Sequence, residues 1–341
     1  MSEKKMITFG VIGAGRIGKI HAENLATRIP GAQVISIADV ILEAAQETAT
    51  HLHILTSTVD YHDILADPAI DAVAICSSTD THTQIIIKAA QAGKHIFCEK
   101  PIDHDLVKID AALAAVEKAG VKLQIGFNRR FDPNFRKVRE MIAANKIGDP
   151  HILRITSRDP APPPVEYIKV SGGIFLDMTI HDFDMARYLM GSEVIEIYVA
   201  GGVMVDPAIG KAGDIDTAII TLRFKNGAIG TIDNSRKAVY GYDQRVEVFG
   251  SGGMVATGNN TPDSHVYSNA EGVQSALPLY FFLERYAESF AQELREFVKS
   301  IYDDTTPPVI GIDGRIPVVM GMAALKSYHE NRPVKLREIE G

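Results

Sequence analysis

Only two cysteines, Cys76 and Cys98, occur in 341 residues. No disulfide framework supports the fold, and a reducing, cytoplasmic setting is the simplest expectation. Long apolar runs are missing too: the longest lies near 316–325, short of the ~20 residues that a membrane helix needs. The opening Met-Ser-Glu-Lys-Lys leads into a strand-like stretch without the apolar segment of a secretion signal. Positive charge is not in surplus, since 35 Lys and Arg face 43 Asp and Glu for a net charge of −8. That excludes the electrostatic footprint of a nucleic-acid binder and gives no attraction to an anionic membrane. What is present is ordinary globular composition, 46% apolar and 23% charged, which argues against a disordered, collagenous or coiled-coil chain. At ~150 residues per domain the length fits about two domains. A chain of this size buries roughly three quarters of its unfolded surface without staples.

The first 127 residues alternate strand and helix. Apolar strand patterns over 6–12, 33–38, 54–57, 72–76, 95–98 and 122–127 are separated by helical stretches at 16–28, 41–50, 61–66, 81–92 and 106–119. Short apolar strands without polar alternation suit a parallel sheet covered on both faces. Strict alternation predicts a doubly wound Rossmann-type domain over 1–127. The second half changes character. A helix over 134–145 is followed by a loop holding four prolines between Pro160 and Pro164, then a helix over 177–190. Strands follow over 194–200, 216–224, 228–234, 245–249 and 254–257, with Asn226-Gly227 as a tight turn and late helices at 285–301 and 317–329. This predicts an α+β domain over 128–341 with an open, mostly antiparallel sheet. The last helix is compatible with packing inside that domain or back on the first.

Gly13-Ala14-Gly15-Arg16-Ile17-Gly18 follows the first strand and opens a helix, and Asp39 ends the second strand 21 residues after Gly18. That context makes the glycine motif a dinucleotide fingerprint. Gly13 permits the turn, Gly15 lets backbone approach a diphosphate, and Gly18 lets helix and strand pack. Arg16 and Ile17 supply N–H groups of the helix start, where anions are favoured. Asp39 can accept both ribose hydroxyls and repels a 2′-phosphate. The next residue, Val40, offers that phosphate no cation, so NAD is predicted over NADP. Ser77, Ser78 and Thr79, with His82 three residues on, follow the fourth strand at the edge where such sheets bind ligands. They read as cofactor-proximal, and helix capping by Ser78 or Thr79 is compatible with that.

Glu99-Lys100-Pro101 ends the fifth strand. Proline forces a turn and pushes Lys100 into extended geometry, and a cis bond is a known form of such turns. Lys100 reads either as a group over the crevice or as a surface lysine paired with Glu99. Asp177 and His181 are four apart, one turn on a helix, with Asp184 three further on. A carboxylate beside an imidazole fixes its tautomer and raises its basicity, as a general base requires. An acid-rich helix start is the plain alternative. A metal site is disfavoured because no Cys or second His stands at ligand spacing.

These residues, together with His21 and Asn24-Leu25, resemble the glucose–fructose oxidoreductase/inositol dehydrogenase/rhizopine-catabolism (Gfo/Idh/MocA) family, from about Ile7 to Val334. Gly126-Phe127-Asn128-Arg129-Arg130-Phe131-Asp132 is similar to its inositol 2-dehydrogenase branch. The resemblance implies a Rossmann domain, a second α/β domain whose open sheet mediates dimers or tetramers, and NAD as cofactor. It implies Lys100, Asp177 and His181 as catalytic residues. Glu99 and Lys100 join the cofactor set, and Lys100, Asn128, Arg129, Asp159, Asp177, His181 and Tyr242 form the substrate set. The implied reaction oxidises a secondary hydroxyl of a cyclic polyol, inositol first, with another sugar, cyclitol or glycoside as alternative. Two rivals share the fold: an enzyme that retains and recycles its nicotinamide, and a non-catalytic sugar or dinucleotide sensor. A sensor has no need of a proton acceptor such as His181.

Overall fold

The computed structural model describes residues 6–340, so the opening Met-Ser-Glu-Lys-Lys read for a secretion signal lies outside them. Among the described residues no helix is long and apolar enough to cross a membrane. The chain divides into two compact units, one running to Phe131 and taking up 288–316 again, the other comprising 132–287 and 317 onward. The sequence suggests one cut after 127; instead the chain re-enters the first unit late.

The first unit is built on a six-stranded parallel sheet of β1 (Ile7–Ile12), β2 (Ala32–Ala38), β3 (Thr56–Thr58), β4 (Ala72–Ile75), β5 (His95–Cys98) and β6 (Leu123–Ile125). Its order is β3-β2-β1-β4-β5-β6, all neighbours parallel. This is the doubly wound order, whose switch point lies between β1 and β4. β4 is buried at every position, which is why the strands read as unbroken apolar runs. Helix Ala287–Tyr302 belongs here because its apolar face completes this core. Leu294, Phe297 and Val298 join Phe9, Leu25 and Phe97 in one buried cluster.

The second unit carries a seven-stranded sheet of β7 (Pro150–Arg158), β8 (Val194–Gly202), β9 (Thr217–Phe224), β10 (Ile229–Ser235), β11 (Asp243–Gly250), β12 (Gly253–Thr257) and, after an exposed hairpin of β13 (Val266–Asn269) and β14 (Gly272–Ser275), β15 (Val334–Lys335). The order is β12-β11-β7-β10-β9-β8-β15. Only β7 and β10 run parallel; every other neighbouring pair is antiparallel. The sequence reading lacks β7, and its insertion between β11 and β10 creates the one parallel pair.

The helix expected over 177–190 is two helices, Gly173–Asp177 and Ile180–Met190. The break has identifiable causes. Thr179 N–H reaches back five residues to Ile174 O at 2.9 Å. The Thr179 hydroxyl lies 3.2 Å from the same carbonyl and 2.6 Å from Asn234 Oδ1. Asn234 in turn donates to Asp182 at 2.9 Å and Ser157 O at 3.2 Å. This buried polar bracket ties the bend to β10 and β7.

Candidate active site

In the first unit the predicted cofactor residues lie in the turns after strands or at the starts of the helices that follow. Gly13 has φ +103, and a Cβ there would lie 2.5 Å from Cys76 O. A Cβ on Gly18 would lie 1.9 Å from Gly13 O, so the loop and helix Arg16–Thr27 require both glycines. At Gly15, by contrast, a Cβ would meet nothing within 4 Å. The backbone there faces open space at a helix start whose first turn carries no acidic residue, which suits a diphosphate. Arg16 and Ile17 are the first two residues of that helix.

Asp39 binds the loop directly. Its Oδ2 accepts Ala14 N–H at 2.6 Å and its Oδ1 accepts Ile41 N–H at 2.9 Å. Each oxygen keeps a lone pair for a ribose hydroxyl, and Val40 beside it is 89% exposed. Ser78 is the N-cap of helix Thr79–Gln91 but makes no side-chain cap bond. Ser77 Oγ instead lies 2.7 Å from Thr81 Oγ1. Capping therefore does not explain Ser78, and Thr79 is the first helical residue. His82 is buried and bridges two turns, with Nδ1 2.8 Å from Pro101 O and Nε2 3.0 Å from Ser77 O. Burial lowers its pKa, and the two carbonyls oppose that shift. The imidazole locks the Ser77 turn to the Lys100-Pro101 turn, whose peptide bond is cis. Lys100 is half-buried, and its N–H donates to Glu99 Oε2 at 3.2 Å. Asn128 and Arg129, both buried, sit in a 3-10 turn (Asn128–Phe131) after β6.

The remaining predicted residues lie in the second unit. Because β7 and β10 are parallel and paired Arg158 to Ser235, Asp159 and Arg236 emerge side by side at one end of the sheet. Asp159 N–H donates to Ser235 O at 2.9 Å. Tyr242 enters at the same end, just before β11, with its ring edge on Tyr286 at 6.0 Å. It is only 7% exposed, so most of its surface is committed to packing.

Arg236 is the residue sequence reasoning missed. Its side chain is 1% exposed and faces three carboxylates: Asp177 Oδ2 at 3.1 Å, Asp214 Oδ2 at 3.7 Å and Asp159 Oδ2 at 4.0 Å. The other Asp177 oxygen accepts the Tyr167 hydroxyl at 2.9 Å. Burial raises the Asp214 carboxyl above the usual range, although N–H groups of Ile174 and Ile215 and the Arg236 charge oppose it. A Cβ on Gly173, at φ +76, would lie 2.9 Å from Asp214 Oδ1, so that glycine makes room for the acid. Asp177 closes one helix and half-buried His181 is the second residue of the next. They flank the bend instead of stacking on one straight helix. Asp184, on the second helix, is fully buried.

A model of an oxidoreductase family with an NAD-binding Rossmann fold matches residues 7–127, and a model of the GFO/IDH/MocA C-terminal domain matches 135–256. The chain belongs to the GFO/IDH/MocA family. It is 53% identical to myo-inositol 2-dehydrogenase of Thermotoga maritima over 97% of this chain and 99% of that protein. Among solved structures, a myo-inositol dehydrogenase of Corynebacterium glutamicum superposes with a TM-score of 0.92 at 39% identity, covering 97% of this chain and 99% of that one. A scyllo-inositol dehydrogenase of Lactobacillus casei with bound NAD(H) and scyllo-inositol gives 0.92 at 31% identity, covering 98% and 100%. The Rossmann unit of this family member therefore offers the features its residues predict: an open Gly15, an acid-free helix start and Asp39 beside the loop.

Proposed function

We propose that the protein oxidises a secondary hydroxyl of inositol to the ketone, in the manner of an inositol 2-dehydrogenase, with NAD as cofactor. The observation that carries this reading is the acid-rich end of the second sheet, where Asp159, Asp177 and Asp214 surround one buried arginine. A substrate that is hydroxyl on every carbon needs oriented acceptors, and carboxylates are the strongest available. The family membership and inositol-oxidising relatives support the same class.

NAD+ bound at the glycine loop supplies the hydride acceptor. His181 takes the hydroxyl proton as the C–H bond breaks, and the carbonyl forms. Asp177, held by Arg236 and Tyr167 at its two oxygens, orients His181 and accepts a substrate hydroxyl. Lys100 hydrogen-bonds the reacting oxygen and stabilises its developing charge. Arg129, Asn128, Asp159 and Tyr242 complete the polyol contacts.

The deciding measurement is NADH absorbance with added NAD+ against myo-, scyllo- and chiro-inositol, glucose, galactose, xylose and simple glycosides. Turnover with myo- or scyllo-inositol is expected. Turnover with a sugar or glycoside alone moves the substrate to that class, and turnover without added NAD+ points to a retained cofactor.

The enzyme is further read as a cytoplasmic homo-oligomer, a dimer or tetramer. The two free thiols favour a reducing compartment. The open sheet face exposes Ile195, Ile219, Ile229, Phe249 and Met254, each more than 45% accessible, which is the kind of surface a second copy covers. Light scattering on the eluted protein tests this, and a monomer removes it.

A further inference from the structure

The Rossmann unit holds a second constellation of ionisable groups that the hydride chemistry does not call on. His21 comes from the helix after the glycine loop, Glu99 from the turn after β5, and Glu293 from helix Ala287–Tyr302. One nitrogen or oxygen from each lies within 4.8 Å of the other two. His21 Nε2 is 2.6 Å from Glu99 Oε1 and 4.0 Å from Glu293 Oε1. The side chains of His21 and Glu293 are 0% exposed, and that of Glu99 is 13% exposed. The rings of Phe97 and Phe290 wall His21 at 4.9 and 5.8 Å. Neither carboxyl oxygen of Glu293 has a hydrogen-bond partner.

A carboxylate cannot stay charged in such a place cheaply, because it has no donor and a second carboxylate beside it. Burial first, then Glu99, raise the Glu293 carboxyl well above its ordinary value. Cys76 and Cys98 face the same charge, and burial followed by Glu99 raises both thiols as well. Glu99 is the member of the cluster with an exposed side. A protonated Glu293 is a donor, and an oxygen of Glu99 lies within 4.8 Å of one of its own.

We propose that Glu293 is a positioning residue: as a neutral acid it closes, with His21, a clamp on the buried side of Glu99. Glu99 Oε2 in turn accepts the Lys100 N–H at 3.2 Å, so the clamp fixes the turn that presents Lys100 and leaves the exposed side of Glu99 for the cofactor. This rests on the role given above to Glu99 and Lys100.

The test compares wild type, Glu293→Gln and Glu293→Met in the full chain, reading the NAD+ dissociation constant, kcat with myo-inositol and Tm. Glutamine keeps a neutral donor of the same shape, so its NAD+ affinity and kcat stay close to wild type. Methionine keeps length but donates nothing; NAD+ binding weakens about tenfold, the loss of one hydrogen bond to a charged group, while Tm holds or rises. Wild-type affinity in Glu293→Met overturns the clamp. Equal losses in both variants overturn the neutral acid and indicate an ionised Glu293, as in a metal site, which zinc-dependent quenching would reveal. If Glu293→Met does not fold, the infrared difference between wild type and Glu293→Gln decides. A protonated carboxyl band at neutral pH supports the proposal, and its absence overturns it. The NAD+ and infrared readings do not use inositol, so failure of the assigned substrate is recognised separately as absent turnover in wild type.

Discussion

Arg236 Nη1 lies 3.1 Å from Asp177 Oδ2, and the arginine that makes this contact is the largest fully buried side chain in the described structure. With Tyr167 on the opposite oxygen, the Asp177 carboxylate has a donor on each side and one orientation. The arrangement depends on β7 and β10 being parallel neighbours, which sets Asp159 and Arg236 at one end of the sheet.

Removing the two donors should therefore have different costs. Tyr167→Phe deletes one exposed hydrogen bond, worth about 0.5–1.5 kcal/mol, and is expected to lower kcat/KM by roughly that much with Tm unchanged. Arg236→Met leaves three carboxylates without their cation. Breaking such a buried pair costs about 3–5 kcal/mol, so Tm should fall sharply along with activity. Thermal unfolding of both variants checks this; an Arg236→Met protein as stable as wild type would show that the carboxylates do not depend on it.

General-base assistance typically contributes 10²–10⁴-fold. Alanine at His181 is expected to cut kcat by about that range and leave NAD+ affinity intact, because the residue belongs to the other unit's machinery. Lys100→Ala should lower kcat and raise the KM for inositol together. Steady-state kinetics with separate NAD+ titration distinguish these patterns, and normal turnover in His181→Ala would remove the imidazole from the proton transfer.

Asp39 accepts Ala14 N–H at 2.6 Å, and the proposed function adds the ribose as its second partner. Asp39→Ala should weaken NAD+ binding and narrow the preference over NADP+. Because the loop also loses its brace, NADP+ should gain less than NAD+ loses. Dissociation constants for both nucleotides test it, and an unchanged preference would mean the ribose is read elsewhere.

The Rossmann half was legible because its signals are local: strands such as β1 and β4 are short apolar runs, and the glycine motif is steric. The second half was less so. β7 begins on half-buried and exposed positions and buries only Leu153, Ile155 and the polar Ser157, a short signal beside a proline loop, and without it nothing places Arg236 against Asp159. The bend between Asp177 and His181 hangs on Asn234, more than fifty residues away, a contact no periodicity encodes. Glu293 was hidden for the same reason, since its helix reads as amphipathic and gives no sign that one acid faces inward.

The buried acid also has a signature in stability. In the folded chain Glu293 keeps its proton well above the ordinary carboxyl value of 4.5, whereas in the unfolded chain it releases it near that value. Between the two the native state binds one proton more than the unfolded state, so stability falls as pH rises through this window. The slope is about 1.4 kcal/mol per pH unit for one proton, and since the side chain is fully buried no solvent screening reduces it. Below the unfolded value both states are protonated and the effect vanishes. Glutamine at 293 does not titrate, so the difference in unfolding free energy between Glu293→Gln and wild type should widen in favour of glutamine as pH rises from the ordinary carboxyl value towards neutrality. Denaturant unfolding of the two proteins across that range measures it directly. Parallel curves would mean that Glu293 is ionised in the native state.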